Sequence, residues 1–278
     1  MGHEAAIRLL KGQILKRRLA QTTLFVGLKG IGKRTLAIEL AKAVECEESK
    51  EGEACDQCDA CRRIAAGAFP DTLIIGPESG TGSVGIEQVR ALSHAMALTP
   101  YEGRTKIGIV EEADAFTEQA AHAVLKLLEE PMEKGLIILI ATALNRLPAT
   151  LVSRCHVIRC LPQGIQRVAA TLQEKEGLEP TLAMRLATLS GGRIGIALEF
   201  HRRELLSKKN VALDQLLNAW RRKVLEVPLG KAPRTELEEA LEWFAGWWRD
   251  LLVLKLGGDP QWLIHQDRIE DLRDVIAS

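Results

Sequence analysis

An α/β P-loop domain with a parallel sheet, followed by a helical lid and an all-α C-terminal domain, is the architecture this 278-residue sequence predicts. Three observations carry that prediction. The apolar run Leu24-Phe25-Val26 leads through Gly27-Leu28-Lys29-Gly30-Ile31-Gly32-Lys33-Arg34-Thr35 into a helical pattern of Leu36, Ala37, Leu40, Ala41 and Val44. A second apolar run, Lys106-Ile107-Gly108-Ile109-Val110, ends in Glu111 and Glu112. After Pro162 the strand-like runs stop and helical periodicity takes over, with all five tryptophans from Trp220 onward. Short apolar runs alternating with helical stretches are what a parallel sheet covered by helices requires.

Composition bounds the function. With 46% hydrophobic and 27% charged residues the chain is globular rather than disordered. Lys and Arg number 37 against 37 Asp and Glu, which argues against a protein that coats nucleic acid by bulk positive charge. Aromatic residues make up 4%, too few for a sheet that stacks bases. The balance is uneven along the chain: residues 1–45 hold nine Lys/Arg against three acids, and residues 46–61 hold six acids against Lys50 alone. The N-terminus lacks an apolar leader with a small-residue cleavage site, and no run is long enough to span a membrane, so the expectation is a cytoplasmic chain with reduced thiols and no membrane partner.

The glycine-rich segment is the first element with chemistry. Glycines let the backbone wrap a phosphate with inward amides, Lys33 adds positive charge, and the following helix contributes its positive dipole end. Gly27, Gly30, Gly32, Lys33 and Thr35 are therefore candidate nucleotide-binding residues, with ATP or ADP as the ligand. The pattern G-x-x-x-x-G-K-[ST] asks for a hydroxyl directly after the lysine to ligate Mg²⁺. Here that residue is Arg34, with Thr35 one place late, and a guanidinium repels a divalent cation. The substitution weighs against nucleotide binding and more heavily against hydrolysis. A glycine-rich turn unrelated to phosphate is the competing reading.

Next come Cys46, Cys55, Cys58 and Cys61, spaced C-x8-C-x2-C-x2-C. In a reducing compartment short thiolate spacings point to a metal, and four sulfurs with no histidine suit tetrahedral zinc. Four protein ligands leave no open position, so the expected role is structural. Gly52, Asp56 and Asp59 supply the turns. Free buried thiols or a redox pair are the alternatives.

Residues 70–75 predict another strand, residues 79–85 a mobile Gly-Ser-Thr-rich loop, and residues 86–92 a helix. Arg90 on that helix reads as a solvated surface arginine in preference to a DNA contact. The acids ending the 106–110 strand then occupy the place of a Walker B segment. Glu111 stands where an Mg²⁺-holding Asp belongs, and Glu112 where a water-activating base belongs. A strand simply ending at the surface in charges is the bland alternative.

Further along, Leu125-Lys126-Leu127-Leu128-Glu129-Glu130-Pro131, a strand from Leu136 to Ala141, Thr142, and Ser153-Arg154-Cys155 follow in order. With the phosphate loop and the four-cysteine insert, these motifs resemble the bacterial clamp-loader AAA+ family of DNA polymerase III across roughly residues 3–200. The resemblance implies an AAA+ domain at 1–162 containing a zinc insert at 46–61, a helical lid at 163–202 and a helical collar or oligomerisation domain at 203–278. It implies that Arg154 enters a neighbouring subunit's ATP site as a finger acting in trans, and that Thr142 is the polar sensor at a strand end. Implied partners are gamma/tau and delta subunits in a hetero-oligomeric ring, a sliding clamp, and primer-template DNA reached through the assembly. Arg34, Glu111 and Gly195 each depart from the family's hydrolysing members, Gly195 standing where a second sensor arginine falls and Arg193 two residues early. The chain is accordingly most similar to the delta prime branch, whose own ATP hydrolysis is expected to be weak or absent. The alternative is a gamma/tau-type motor that binds and hydrolyses ATP itself. The C-terminal part is short for the family.

Beyond Pro162, Val168, Leu172, Met184, Leu186 and Leu189 are expected to fill the lid's core. Trp243 and Trp247 share a face at i, i+4. Leu241, Phe244, Trp248, Leu251 and Leu252 make that helix apolar nearly all round, which predicts burial between neighbours.

Overall fold

In β1 (Thr22–Val26), Phe25 packs to one side of a sheet while Leu24 and Val26 pack to the other, and this alternation organises the first half of the chain. The computed structural model describes residues 2–130, 134–222 and 233–277. Two compact units divide the chain, Met1–Pro162 and Gln163–Ser278.

In the first unit, α1 (Glu4–Leu15) precedes β1, and α2 (Lys33–Glu45), α3 (Asp59–Ala65), β2 (Thr72–Ile75), α4 (Ile86–Met96) and β3 (Lys106–Val110) follow it. Then come α5 (Glu118–Glu129), β4 (Gly135–Ala141), α6 (Ala149–Val152) and β5 (His156–Arg159). The strands form one parallel sheet in the order β2-β3-β4-β1-β5. Both faces are covered. Phe25, Ile107, Ile109, Ile138 and Ile140 meet α1, α2 and α3 through Leu10, Leu36, Leu40 and Ile64. Leu24, Val110, Ile137 and Leu139 meet α4 and α5 through Val89, Leu92, Met96, Val124 and Leu127. Glycine at 108 leaves room for α4, since a Cβ there would sit 2.9 Å from the Leu92 side chain, which would have to shift.

The second unit is helical: α7 (Ile165–Glu176), α8 (Pro180–Leu189), α9 (Ile194–Arg202), α10 (Leu205–Arg222), α11 (Arg234–Lys255) and α12 (Ile269–Ala277). α7 stops at Gly177, whose φ of 66° is the left-handed conformation that closes helices. α8 starts with Pro180 after Glu179, whose carboxylate accepts from the Thr181 and Leu182 amides. Val168, Leu172, Ala183, Leu186 and Ala197 form one core and Leu213, Leu217, Phe244, Trp247, Leu251 and Leu272 another.

Two expectations are corrected here. Met184 is exposed and Leu189 only half-buried outside the lid's core, because the buried side of α8 is the Ala183, Leu186, Ala187 side. α11 is not buried all round. Ala240, Phe244, Trp247 and Leu251 form its buried stripe, while Leu241, Trp248 and Leu252 lie exposed on the other side. No helix among the described residues is long and apolar enough to cross a membrane.

Candidate functional site

β3, β4 and β1 lie side by side, with Val110 opposite Leu139 and Val26 opposite Ala141. Gly27, Glu111 and Thr142 each follow the last residue of one of these strands, so the sheet delivers all three to one edge. Doubly wound parallel sheets present their ligand sites at this edge.

The loop after β1 has the backbone that a phosphate cradle needs. Gly30 and Gly32 sit at φ of 78° and 98°, a region glycine enters without a Cβ penalty. Gly27 is glycine for a different reason: a Cβ there would lie 2.2 Å from the Cys160 carbonyl oxygen. Lys33 is buried and its ammonium donates to the carbonyls of Gly27 and Leu28, the second at 2.8 Å. Burial lowers the Lys33 pKa, while Cys160, Asp114 and Glu112 nearby pull it back up. His3 Nε2 donates to the Ile31 carbonyl at 2.7 Å, tying the N-terminal segment to the loop. Thr35 and Glu112 are both exposed, and Glu112 has a left-handed backbone at φ 51°.

Arg34, in the first turn of α2, donates from Nε to Glu111 Oε1. The residue where a hydroxyl would ligate Mg²⁺ is thus ion-paired with the residue where the Walker B carboxylate would stand. Beside them the Thr142 hydroxyl donates to Asp114 Oδ2, and the Thr142 amide lies 3.3 Å from both Asp114 oxygens. Arg146 stands 3.9 Å from the same carboxylate.

Cys46 follows α2, Cys58 caps α3 and Cys61 lies in its first turn. Together with Cys55 their sulfurs lie within 4.8 Å of one another. A tetrahedral ion at about 2.3 Å from each sulfur needs sulfurs about 3.8 Å apart, and those of Cys46 and Cys58 are 4.0 Å apart. Backbone amides point at the sulfurs: Cys55 N to Cys46 at 3.3 Å, Cys58 N to Cys55 at 3.2 Å, Cys61 N to Cys58 at 3.5 Å. Donation from the Gln57 and Cys58 amides brings the Cys55 thiol down to about 7, whereas burial raises the Cys46 and Cys61 thiols. The donor set therefore fits a metal ion such as zinc. Burial pushes the Cys155 and Cys160 thiols up to about 11.

Arg154 follows α6, with Nη2 2.8 Å from Glu129 Oε1 and Nη1 donating to the Thr150 carbonyl at 2.9 Å. Its side chain is 39% exposed. Pro131, which ends the motif containing Glu129, lies outside the described residues. Arg193 stands at the residue before α9 and donates from Nε to the Ser190 carbonyl at 2.8 Å. Arg90 pairs with Glu87 at 2.6 Å on the surface of α4.

The structure thus brings Gly27, Gly30, Gly32 and Lys33 to one sheet edge with Glu111, Glu112 and Thr142, and gathers the four cysteines separately. Sequence reasoning left His3, Asp114 and Glu129 without roles. Asp114 has a local signal, closing the acidic run three residues after Glu111. His3 has none, since its contact spans 28 residues; Arg34 and Glu111, 77 residues apart, share only their motif positions around one Mg²⁺ as a signal.

Comparison with known proteins follows the same geometry. Residues 2–163 match the family described as "DNA polymerase III, delta subunit". DNA polymerase III subunit delta' of Pseudomonas aeruginosa is 30% identical over 259 residues, covering 92% of this chain and 78% of the relative. DNA polymerase III subunit tau of Bacillus subtilis is 32% identical over 156 residues, which is 56% of this chain and 27% of that one. Among solved structures, a DNA polymerase III gamma subunit-related protein from Thermotoga maritima has the same fold, with a TM-score of 0.50 at 19% identity over 98% of this chain and 92% of that chain. With the family spanning the whole sheet unit and the delta' likeness running through both units, the chain belongs to the DNA polymerase III delta-subunit family as a delta'-like clamp-loader protein.

Proposed function

We propose that this clamp-loader subunit acts as a stator in the cytoplasm, within a hetero-oligomeric ring with gamma/tau-type and delta-type subunits. In this reading it places Arg154 in a neighbour's ATP site while the ring loads a sliding clamp onto primer-template DNA. The observation that carries the proposal is the placement of Arg154. It is partly exposed at the end of α6 and steadied in cis by Glu129 and the Thr150 carbonyl. A guanidinium held this way keeps free N–H groups for an anionic ligand outside its own chain. A finger in trans neutralises charge developing on the transferred phosphoryl group and contributes about 10³–10⁵ in rate in related phosphoryl transfer. Thr142, Glu112 and the phosphate loop then serve the subunit's architecture rather than its own hydrolysis.

Zinc on the four thiolates is assigned a structural role, holding the Cys46–Cys61 segment against α2 and α3 with no position open to water. Metal analysis of chain purified under reducing conditions should give one zinc per chain, and its absence overturns the assignment.

The decisive experiment is ATPase of the reconstituted complex carrying Arg154→Ala. Assembly should be retained and turnover reduced severely; unchanged turnover removes the finger. The motor reading is supported by likeness to tau subunits, of which that of Bacillus subtilis covers 56% of this chain. Robust ATP turnover by this chain alone, abolished by Lys33→Ala, would establish the motor instead.

A further inference from the structure

We propose that the Arg34–Glu111 ion pair is a built-in replacement for the divalent cation of this phosphate loop, so that the site takes nucleoside polyphosphates in their metal-free form. The inference rests on reading the chain as a subunit that does not hydrolyse ATP itself. It assigns a role to two residues that otherwise appear only as losses.

The geometry carries it. In a working phosphate loop Mg²⁺ is held between a hydroxyl on the first turn of the helix and a carboxylate at the end of a neighbouring strand. Here both positions are changed, and the two changes meet: Arg34 Nε donates directly to Glu111 Oε1. That guanidinium brings positive charge to the carboxylate that would otherwise face the ion. Thr35 does not restore the missing ligand, because one residue further along α2 rotates its side chain about 100° away.

The rest of the loop is built to receive anionic oxygen. Gly30 and Gly32 keep their left-handed backbone, and α2 presents its N-terminal amides. Lys33 is turned inward onto the Gly27 and Leu28 carbonyls, contacts it can exchange for phosphate oxygens. Charge on a bound diphosphate would be met by Lys33, Arg34 and amides alone. Mg²⁺ would then have to displace a guanidinium from Glu111 without gaining a hydroxyl ligand.

Equilibrium binding of ADP to the full chain, with excess Mg²⁺ and with a chelator, tests this. The wild type should bind ADP with an affinity that Mg²⁺ does not improve. The double variant Arg34→Thr with Glu111→Asp should gain about ten- to hundredfold in Mg²⁺ over chelator, the factor one charge-assisted contact contributes. Far-UV circular dichroism and a thermal melt establish that the variant is folded, and Arg34→Thr alone serves as a second variant should the double one unfold. Tighter wild-type binding in Mg²⁺, no ADP binding in either condition, or a folded Thr/Asp variant with no Mg²⁺ dependence would each overturn the proposal. None of these outcomes touches the finger reading, which fails only on the turnover of the assembled complex.

Discussion

Asp71 gathers four polar partners, a lysine and three backbone amides. Its carboxylate is wholly buried, pairs with Lys106 at 2.6 Å, and accepts from the amides of Tyr101 at 2.8 Å, Glu102 at 2.9 Å and Gly103 at 2.7 Å. Burial alone would raise its pKa; the Lys106 ammonium and the three amides outweigh it and bring it down to about 2. A folded pKa below the unfolded value means stability that is complete above about pH 4–5 and is lost as pH falls through the folded pKa. Asp71→Asn should therefore reduce stability at neutral pH on the order of 2 kcal/mol, and urea midpoints measured from pH 7 down to pH 2 should lose part of their acid slope. An unchanged slope would remove Asp71 from the acid response. Two glycines give the opposite signs of a second residue-scale test. Gly27→Ala forces a Cβ onto the Cys160 carbonyl and should cost about 1–3 kcal/mol. Gly12, inside α1, has open space around its missing Cβ, so Gly12→Ala should stabilise by about 0.5–1 kcal/mol. Denaturant midpoints of both variants check the pair.

At the scale of elements, α11 explains both what the sequence made legible and what it did not. Strand, loop and helix around Gly27 could be read locally, because glycines, apolar runs and helical periodicity all lie within about twenty residues of one another. The cysteine cluster was legible for the same reason. The apolar residues of α11 announced a helix, but their period could not say which side would be covered, since Leu241, Trp248 and Leu252 are as apolar as Phe244, Trp247 and Leu251. Only packing against Leu213, Leu217 and Leu272 selects the face. The His3 contact to the Ile31 carbonyl was equally hidden, because a long-range partner is set by topology rather than by spacing. The two faces predict opposite outcomes for neighbouring tryptophans. Trp247, 1% exposed, sits in the core with its ring 5.8 Å from His265, so Trp247→Ala should cost about 3–5 kcal/mol. Trp248, 48% exposed, touches Trp220 edge-on at 5.9 Å, and its truncation should cost about 1 kcal/mol or less. Thermal melts of the isolated chain separate the two; comparable losses would mean that α11 is buried on both faces in solution.

For the molecule as a whole, the zero net charge conceals a division of labour that the cores make physical. The sheet's two hydrophobic clusters draw all their buried residues from positions before 163, and the two helical clusters draw theirs from positions after it. The phosphate edge, the cysteine cluster and Arg154 with Glu129 all belong to the first unit. A chain ending at Pro162 keeps both covers of the sheet, and each strand keeps its neighbours. Such a fragment should fold by itself, showing strand and helix in its far-UV spectrum and one cooperative thermal transition. It should also retain whatever metal and nucleotide binding the full chain has. Every tryptophan is absent from it, so the full chain supplies the complementary readout: tryptophan emission follows the helical unit alone while far-UV ellipticity follows both. If each core stands on its own, denaturant curves from the two probes should separate in the full chain. A fragment that remains unfolded under conditions where the full chain is native, or curves that coincide throughout, would mean that the sheet unit depends on the helices for its stability.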